Sequence, residues 1–209
     1  PPSPPPSPPS PPPDPKYGAH YGEVAMVSLG TYKVVLLALA NIPAGTVYTI
    51  TDQNYQGGMA FSASSYERTY EYVVPAGGLK AGTLVDVDTT VSGKGIYVGS
   101  NGDVVYLFKT VPGAPEPQFV HVWTSNPTAG DFGIIPEGPA AAGVVTTTTQ
   151  RFAHYTGFTK KGTRMELLAD ITRAGAWAEG EAAASGYSVT VTDTSRTAGP
   201  GGTGTTPSP

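Results

Sequence analysis

The thirty residues GEVAMVSLGTYKVVLLALANIPAGTVYTIT (Gly22 to Thr51) decide the fold class. They divide into "GEVAMVSLG" (22–30), "TYKVVLLALA" (31–40) and "TVYTIT" (46–51), three short runs rich in β-branched and apolar residues. Between the second and third, "NIPAG" supplies a turn through Pro43 and Gly45. The run Val34 to Ala40 is too short to cross a bilayer and reads as a buried strand.

The same pattern continues outward. "ERTYEYVV" (67–74) alternates, with Arg68, Tyr70, Tyr72 and Val74 on one face and Glu67, Thr69, Glu71 and Val73 on the other. "TLVDVD" points Asp86 and Asp88 the same way, and "DVVYLFK" (103–109) follows the turn pair Asn101-Gly102. In "QFVHVWT" (118–124) simple alternation sends Phe119 and His121 opposite to Val120 and Val122 and puts Trp123 on a strand face. "YSVTVT" (187–192) is a late strand, while "RMELLADITRAGAWAEGEAAA" (164–184) has the Leu, Ala and Glu content for one or two helical turns. Short, evenly spaced strands with Gly and Pro between them predict an all-β fold, a single antiparallel β-sandwich.

The ends differ in kind. "PPSPPPSPPSPPPDP" (1–15) is locked by proline into a polyproline II rod, at about 3.1 Å per residue a spacer or strut. Three regions follow: an extended arm over 1–16, a β-sandwich over 17–194, and a flexible Gly/Thr/Pro-rich tail or linker over 195–209. The chain begins on proline, which reads as a mature form or a fragment. There is no cysteine; charged residues are 13% of the chain and the net charge is −4, so no basic field recruits nucleic acid and no membrane span is expected.

The proline-serine blocks resemble the hydroxyproline-rich glycoproteins of plant and green-algal cell walls and extracellular fibres. That resemblance implies hydroxylation and O-glycans on Pro1, Pro2, Pro4, Pro5, Pro6, Pro8, Pro9, Pro11, Pro12 and Pro13 and on Ser3, Ser7 and Ser10. N-linked sugar is excluded because Pro127 blocks the acceptor at Asn126. Behind the arm, "LALANIPAGTVYTITDQNY", "YVVPAGGLKAGTLVDV" and "GSNGDVVYLFK" occur in the order of a secreted bacterial β-sandwich domain found beside extracellular nuclease and phosphatase modules. The resemblance covers most of residues 22–170 and implies an extracellular β-sandwich with no catalytic site of its own. Tyr55 stands at that family's aromatic position, and "AMVSLG" departs from its pattern.

Catalytic signatures are sparse. There is no G-x-S-x-G elbow, and His20, His121 and His154 are too scattered for a spaced zinc motif, so each reads as a surface or packed imidazole. "GKGIYVG" (93–99) lacks Walker spacing and reads as a turn. No cofactor is expected; the one metal alternative is calcium on Asp86, Asp88 and Asp103, if the fold gathers them. Aromatic side chains that could meet a sugar or a neighbour's arm are Tyr17, Tyr21, Tyr55, Trp123 and Trp177, the last expected to be the more exposed tryptophan. The resulting expectation is a secreted, non-enzymatic structural subunit of a fibre, matrix or cell wall. Its partners are copies of itself, joined head to tail through extended arms. The alternative is a carbohydrate-binding or adhesion module on a glycosylated stalk, with a hydrolase third.

Overall fold

The computed structural model describes residues 20–62, 67–90, 95–99, 102–125, 133–173 and 175–193. The expected arm, Tyr17 and the tail from 195 onward lie outside the described residues, as do the glycosylation candidates at 1–13.

The chain is mostly strand. In order come β1 (Val24–Gly30), β2 (Lys33–Ala38), β3 (Val47–Thr51), β4 (Asn54–Gly57), β5 (Ala60–Ser62), β6 (Thr69–Val73) and β7 (Leu84–Asp88). After them run β8 (Val104–Lys109), β9 (Gln118–Thr124), the short helix α1 (Glu137–Ala141), β10 (Val145–Thr147), β11 (Ala153–Tyr155) and β12 (Thr159–Gly162). Helix α2 (Arg164–Ile171), β13 (Trp177–Glu179), a single 3₁₀ turn (Ala184–Gly186) and β14 (Ser188–Val191) complete it. No helix among the described residues is long and apolar enough to cross a membrane.

Two five-stranded sheets face each other, one ordered β13-β11-β1-β2-β7 and the other β10-β9-β8-β3-β6. The expected β-sandwich is present. Its pairing is antiparallel except for β10 with β9 and, outside the two large sheets, β12 with β14, which run parallel. Between the sheets lies one apolar cluster that includes Met26, Leu36, Ile50, Leu107 and Trp123.

Each sheet is also covered on its outer face. Ala25, Val27, Val35 and Leu37 pack outward against Leu167, Leu168 and Ile171 of α2, with Tyr187 and Val191. On the other sheet Val104, Tyr106, Phe108, Phe119 and Val122 pack outward against Tyr55 and Phe61 of the β4–β5 hairpin. A strand buried on both faces has no polar side, and for that reason β1, β2 and β8 read as nearly continuous apolar runs. Strand β6, at an edge, keeps its alternation, with Thr69, Glu71 and Val73 exposed and Tyr70 and Tyr72 turned toward the core.

Two bulges correct the simple alternation. In β1 the register slips between Met26 and Ser28, which leaves Val27 on the outer face and returns Leu29 to the interior. In β9 the pairing jumps from Leu107–His121 to Phe108–Phe119. Val120 is the extra residue; it and Trp123 join the interior, and His121 lies on the same face as its partner Leu107 rather than with Phe119. Helix α2 takes the first eight residues of the expected helical stretch, closed at its N-terminus by a Thr163–Glu166 capping box. The rest of that stretch becomes strand β13 and the 3₁₀ turn.

Candidate functional site

The strand registers sort the surface into two poles. The chain enters the described body at His20, runs up β1 and reverses at Thr31–Tyr32 into β2. The Gly30–Lys33 end is about 20 Å from the Val24 end along β1. The first and last described residues meet at the entry pole. Asp193, the last described residue, accepts the Arg164 backbone N–H, while the Arg164 side chain donates to the carbonyls of Gly22 and Tyr21.

At the entry pole a charged pair is sealed inside. Lys109 Nζ lies 2.6 Å from Glu23 Oε1, with both side chains buried. Tyr48 donates its hydroxyl to the same oxygen at 2.8 Å, and burial beside this carboxylate pushes its pKa up. Burial, with Lys109 and Arg164 nearby, holds His20 down at about 4, so its imidazole is neutral at pH 7.

The opposite pole carries the groups with chemical reach. Tyr32 occupies the second position of the β1–β2 turn with φ of 62°, a conformation that favours Gly or Asn and costs other residues about 1 kcal/mol. Its Cβ lies against Gly95, where any side chain would collide with it. The Tyr97 ring is 6.3 Å from that of Tyr32 and 6.2 Å from that of Phe152. The Arg151 guanidinium sits 4.4 Å from the centre of Tyr97 and 4.9 Å from that of Phe152, anchored by its Nε–H to the Val98 carbonyl at 2.7 Å. Tyr97 is 40% exposed. The result is an aromatic surface with hydroxyl and guanidinium donors along it.

Beside this surface, Ser28, Lys33, Asp86, Asp88 and Glu181 line a cleft of about 380 Å³. All three of its carboxylates are already engaged with backbone: Asp86 accepts the Ala184 N–H, Glu181 the Thr31 N–H and Asp88 the Thr90 N–H. Hydrogen bonding from Thr90 lowers the Asp88 pKa.

Below the aromatic surface two buried carboxylates tie loops together. Asp52 accepts the N–H groups of Arg68 and Tyr97, and Asp103 those of Gly99 and Val104. Burial pushes both up to about 7, and the charge of Asp52 adds to the rise at Asp103. These acids hold the segment that presents Tyr97.

The expected site residues divide accordingly. Asp86 and Asp88 share a face and a cleft, but Asp103 stands on the other sheet beside Asp52, so the expected calcium trio is not brought together. Among the described residues no group of three or more His, Asp or Glu is placed to hold a metal ion. Trp123 is fully buried between the sheets and Tyr55 lies in the aromatic cluster under the β4–β5 hairpin, so neither can serve as a platform. Trp177 is half-buried and donates its indole N–H to the Ile171 carbonyl; it is the more exposed of the two tryptophans, as expected, since Trp123 is fully buried. Tyr21 is half-buried at the entry pole, its ring tilted against that of His20 at 4.4 Å. His121 is sealed, within 3.3 Å of Thr146, and burial lowers it to about 3; His154 rests on the Gly180 carbonyl.

Tyr32, Tyr97, Arg151 and Phe152 escape sequence reasoning because three separate loops deliver them. The one local signal is a tyrosine in a tight turn where glycine is favoured. No protein-family model matches the chain, and no curated protein and no solved structure matches it.

Proposed function

We propose that the chain is a structural, non-enzymatic subunit of an extracellular glycoprotein fibre, matrix or cell wall, assembling head to tail through its proline-rich arm. The observation that carries this reading is the polarity of the body. The arm joins at His20, the entry pole, and the exposed aromatic surface lies at the opposite pole. A subunit that donates at one pole and accepts at the other makes a heterologous contact, and such a contact grows into a fibre when it does not close. The Ser-Pro blocks at 1–13 support a hydroxylated, O-glycosylated rod and hence a secreted location. A non-enzymatic role is supported by the engagement of the chemistry-bearing groups, since His121 is sealed and Asp52 and Asp103 accept backbone N–H groups.

The test is deletion of residues 1–15, followed by circular dichroism and electron microscopy. The expected product is a folded, β-rich monomer that no longer assembles; filaments of unchanged morphology overturn the reading.

A second reading, a carbohydrate-binding or adhesion module, is favoured by the exposed Tyr97 ring beside a cleft with three carboxylates. Saturable binding on a glycan array, lost in Tyr97→Ala, is the result that selects it.

A further inference from the structure

We infer that the surface formed by Tyr32, Tyr97, Phe152 and Arg151 is the acceptor for the proline-rich head, residues 1–13, of a second copy of this chain; the inference rests on the head-to-tail reading and names its contact. The first argument is chemical. A polyproline segment has no backbone N–H to give and only carbonyls to satisfy, so its complement is an apolar ridge bordered by donors. Three aromatic rings in contact, two of them tyrosines, with a guanidinium between Tyr97 and Phe152 supply that combination. Grooves lined by aromatic rings are the general way proteins hold polyproline II ligands, because the rod is already ordered and loses little entropy on docking.

The second argument comes from the spacing of the head. Polyproline II has three residues per turn, so every third residue shares one edge of the rod, about 9 Å apart. In "PPSPPPSPPSPPP" one such edge is Pro2, Pro5, Pro8 and Pro11 without interruption, and Ser3, Ser7 and Ser10 all fall on the other two edges. The contact requires that Pro2, Pro5, Pro8 and Pro11, which are among the expected glycosylation positions, carry no sugar on that edge.

The third argument is direction. The head joins the body at His20, and the aromatic surface is about 20 Å away at the other end of β1. That separation puts the donating and accepting ends of one copy at opposite poles, the arrangement that a head-to-tail contact between copies needs. The strained turn has a use here, since φ of 62° at Tyr32 is kept by the residue that extends the aromatic row.

The experiment uses the full chain and two variants, each checked for native circular dichroism, with assembly followed by sedimentation velocity across concentration. The platform variant carries Tyr97→Ser and Arg151→Gln; the ridge variant carries Pro5→Ser, Pro8→Ser and Pro11→Ser. Each alone is expected to stay monomeric. An equimolar mixture is expected to stop at dimers, because the intact head of the first can enter the intact surface of the second and no further contact is available. Tyr32→Gly, which removes one ring while relaxing the turn, is expected to weaken assembly about tenfold.

If the platform variant assembles like the unaltered chain while the ridge variant does not, the acceptor lies elsewhere, although head-to-tail assembly stands. If the ridge variant also assembles normally, the head-to-tail reading itself falls. Dimers absent from the mixture, with the head instead altering the Tyr97 environment in a concentration-independent monomer, would show docking within one chain and overturn the inference. So would tight oligosaccharide binding at Tyr97 that is indifferent to both head and ridge.

Discussion

At the scale of single residues, burial separates aromatics that the sequence leaves equivalent. Trp123 sits between the sheets with none of its surface exposed. Trp123→Ala should therefore cost about 3–5 kcal/mol in urea unfolding, through lost apolar contact and the cavity left behind. Tyr32 is the opposite case. Tyr32→Gly exchanges an unfavourable backbone conformation for one that glycine adopts freely, so stability should change by no more than about 1 kcal/mol in either direction. A loss as large as that of Trp123→Ala would show that the Tyr32 ring is part of the core rather than of the surface.

At the scale of elements, two buried polar constructions hold the strands in place. The Glu23–Lys109 pair joins the entry of β1 to the end of β8, with Tyr48 of β3 on the same carboxylate. Glu23→Gln keeps an acceptor for Tyr48 but strands the Lys109 ammonium, at a cost of about 3–5 kcal/mol. Adding Lys109→Met to that variant should recover most of the loss, and an unrecovered double variant would mean that Glu23 acts through more than the pair. The second construction is Asp52 with Asp103. Each keeps its proton to about pH 7 in the folded chain, against an ordinary value of 3.8. The folded state then binds more protons than the unfolded one between those values, so their stability contribution is complete below about pH 4 and is lost as pH rises through 7. His20 and His121 run the other way: lowered to about 4 and about 3, they contribute above pH 6.5 and lose that contribution on acidification. Comparison with Asp103→Asn isolates the carboxyl. Between about pH 4.5 and 7.5 the unaltered chain should lose on the order of 3 kcal/mol relative to this variant in paired urea titrations. A difference that does not change with pH would place the Asp103 pKa near its ordinary value.

At the scale of the whole molecule, polarity is the organising property. Arg164 gathers the two ends of the described body at one pole, bonding to Asp193 on one side and to Tyr21 and Gly22 on the other. The loops at the far pole carry the aromatic surface. In native material, peptides from residues 1–15 are expected to show added oxygen and pentose mass by mass spectrometry; unmodified proline throughout would leave a bare linker.

The strand content was legible in the residues, because period-two alternation and Gly/Pro punctuation are local properties. The β6 segment shows this best, with Tyr70 and Tyr72 turned inward and Glu71 outward as the pattern requires. The expectation for the head rests on the sequence alone, since proline restricts its own backbone without help from distant residues. Tertiary structure alone decided which way the side chains of β1 and β9 point. One bulged residue, Val27 or Val120, reverses the facing of all that follow it, and a bulge exists only through pairing with another strand. It also decided that Tyr55 and Trp123 would be buried and Tyr97 presented. The covering of each sheet on both faces, and the meeting of Tyr32, Tyr97 and Arg151 at one pole, depend on contacts between residues far apart in the chain.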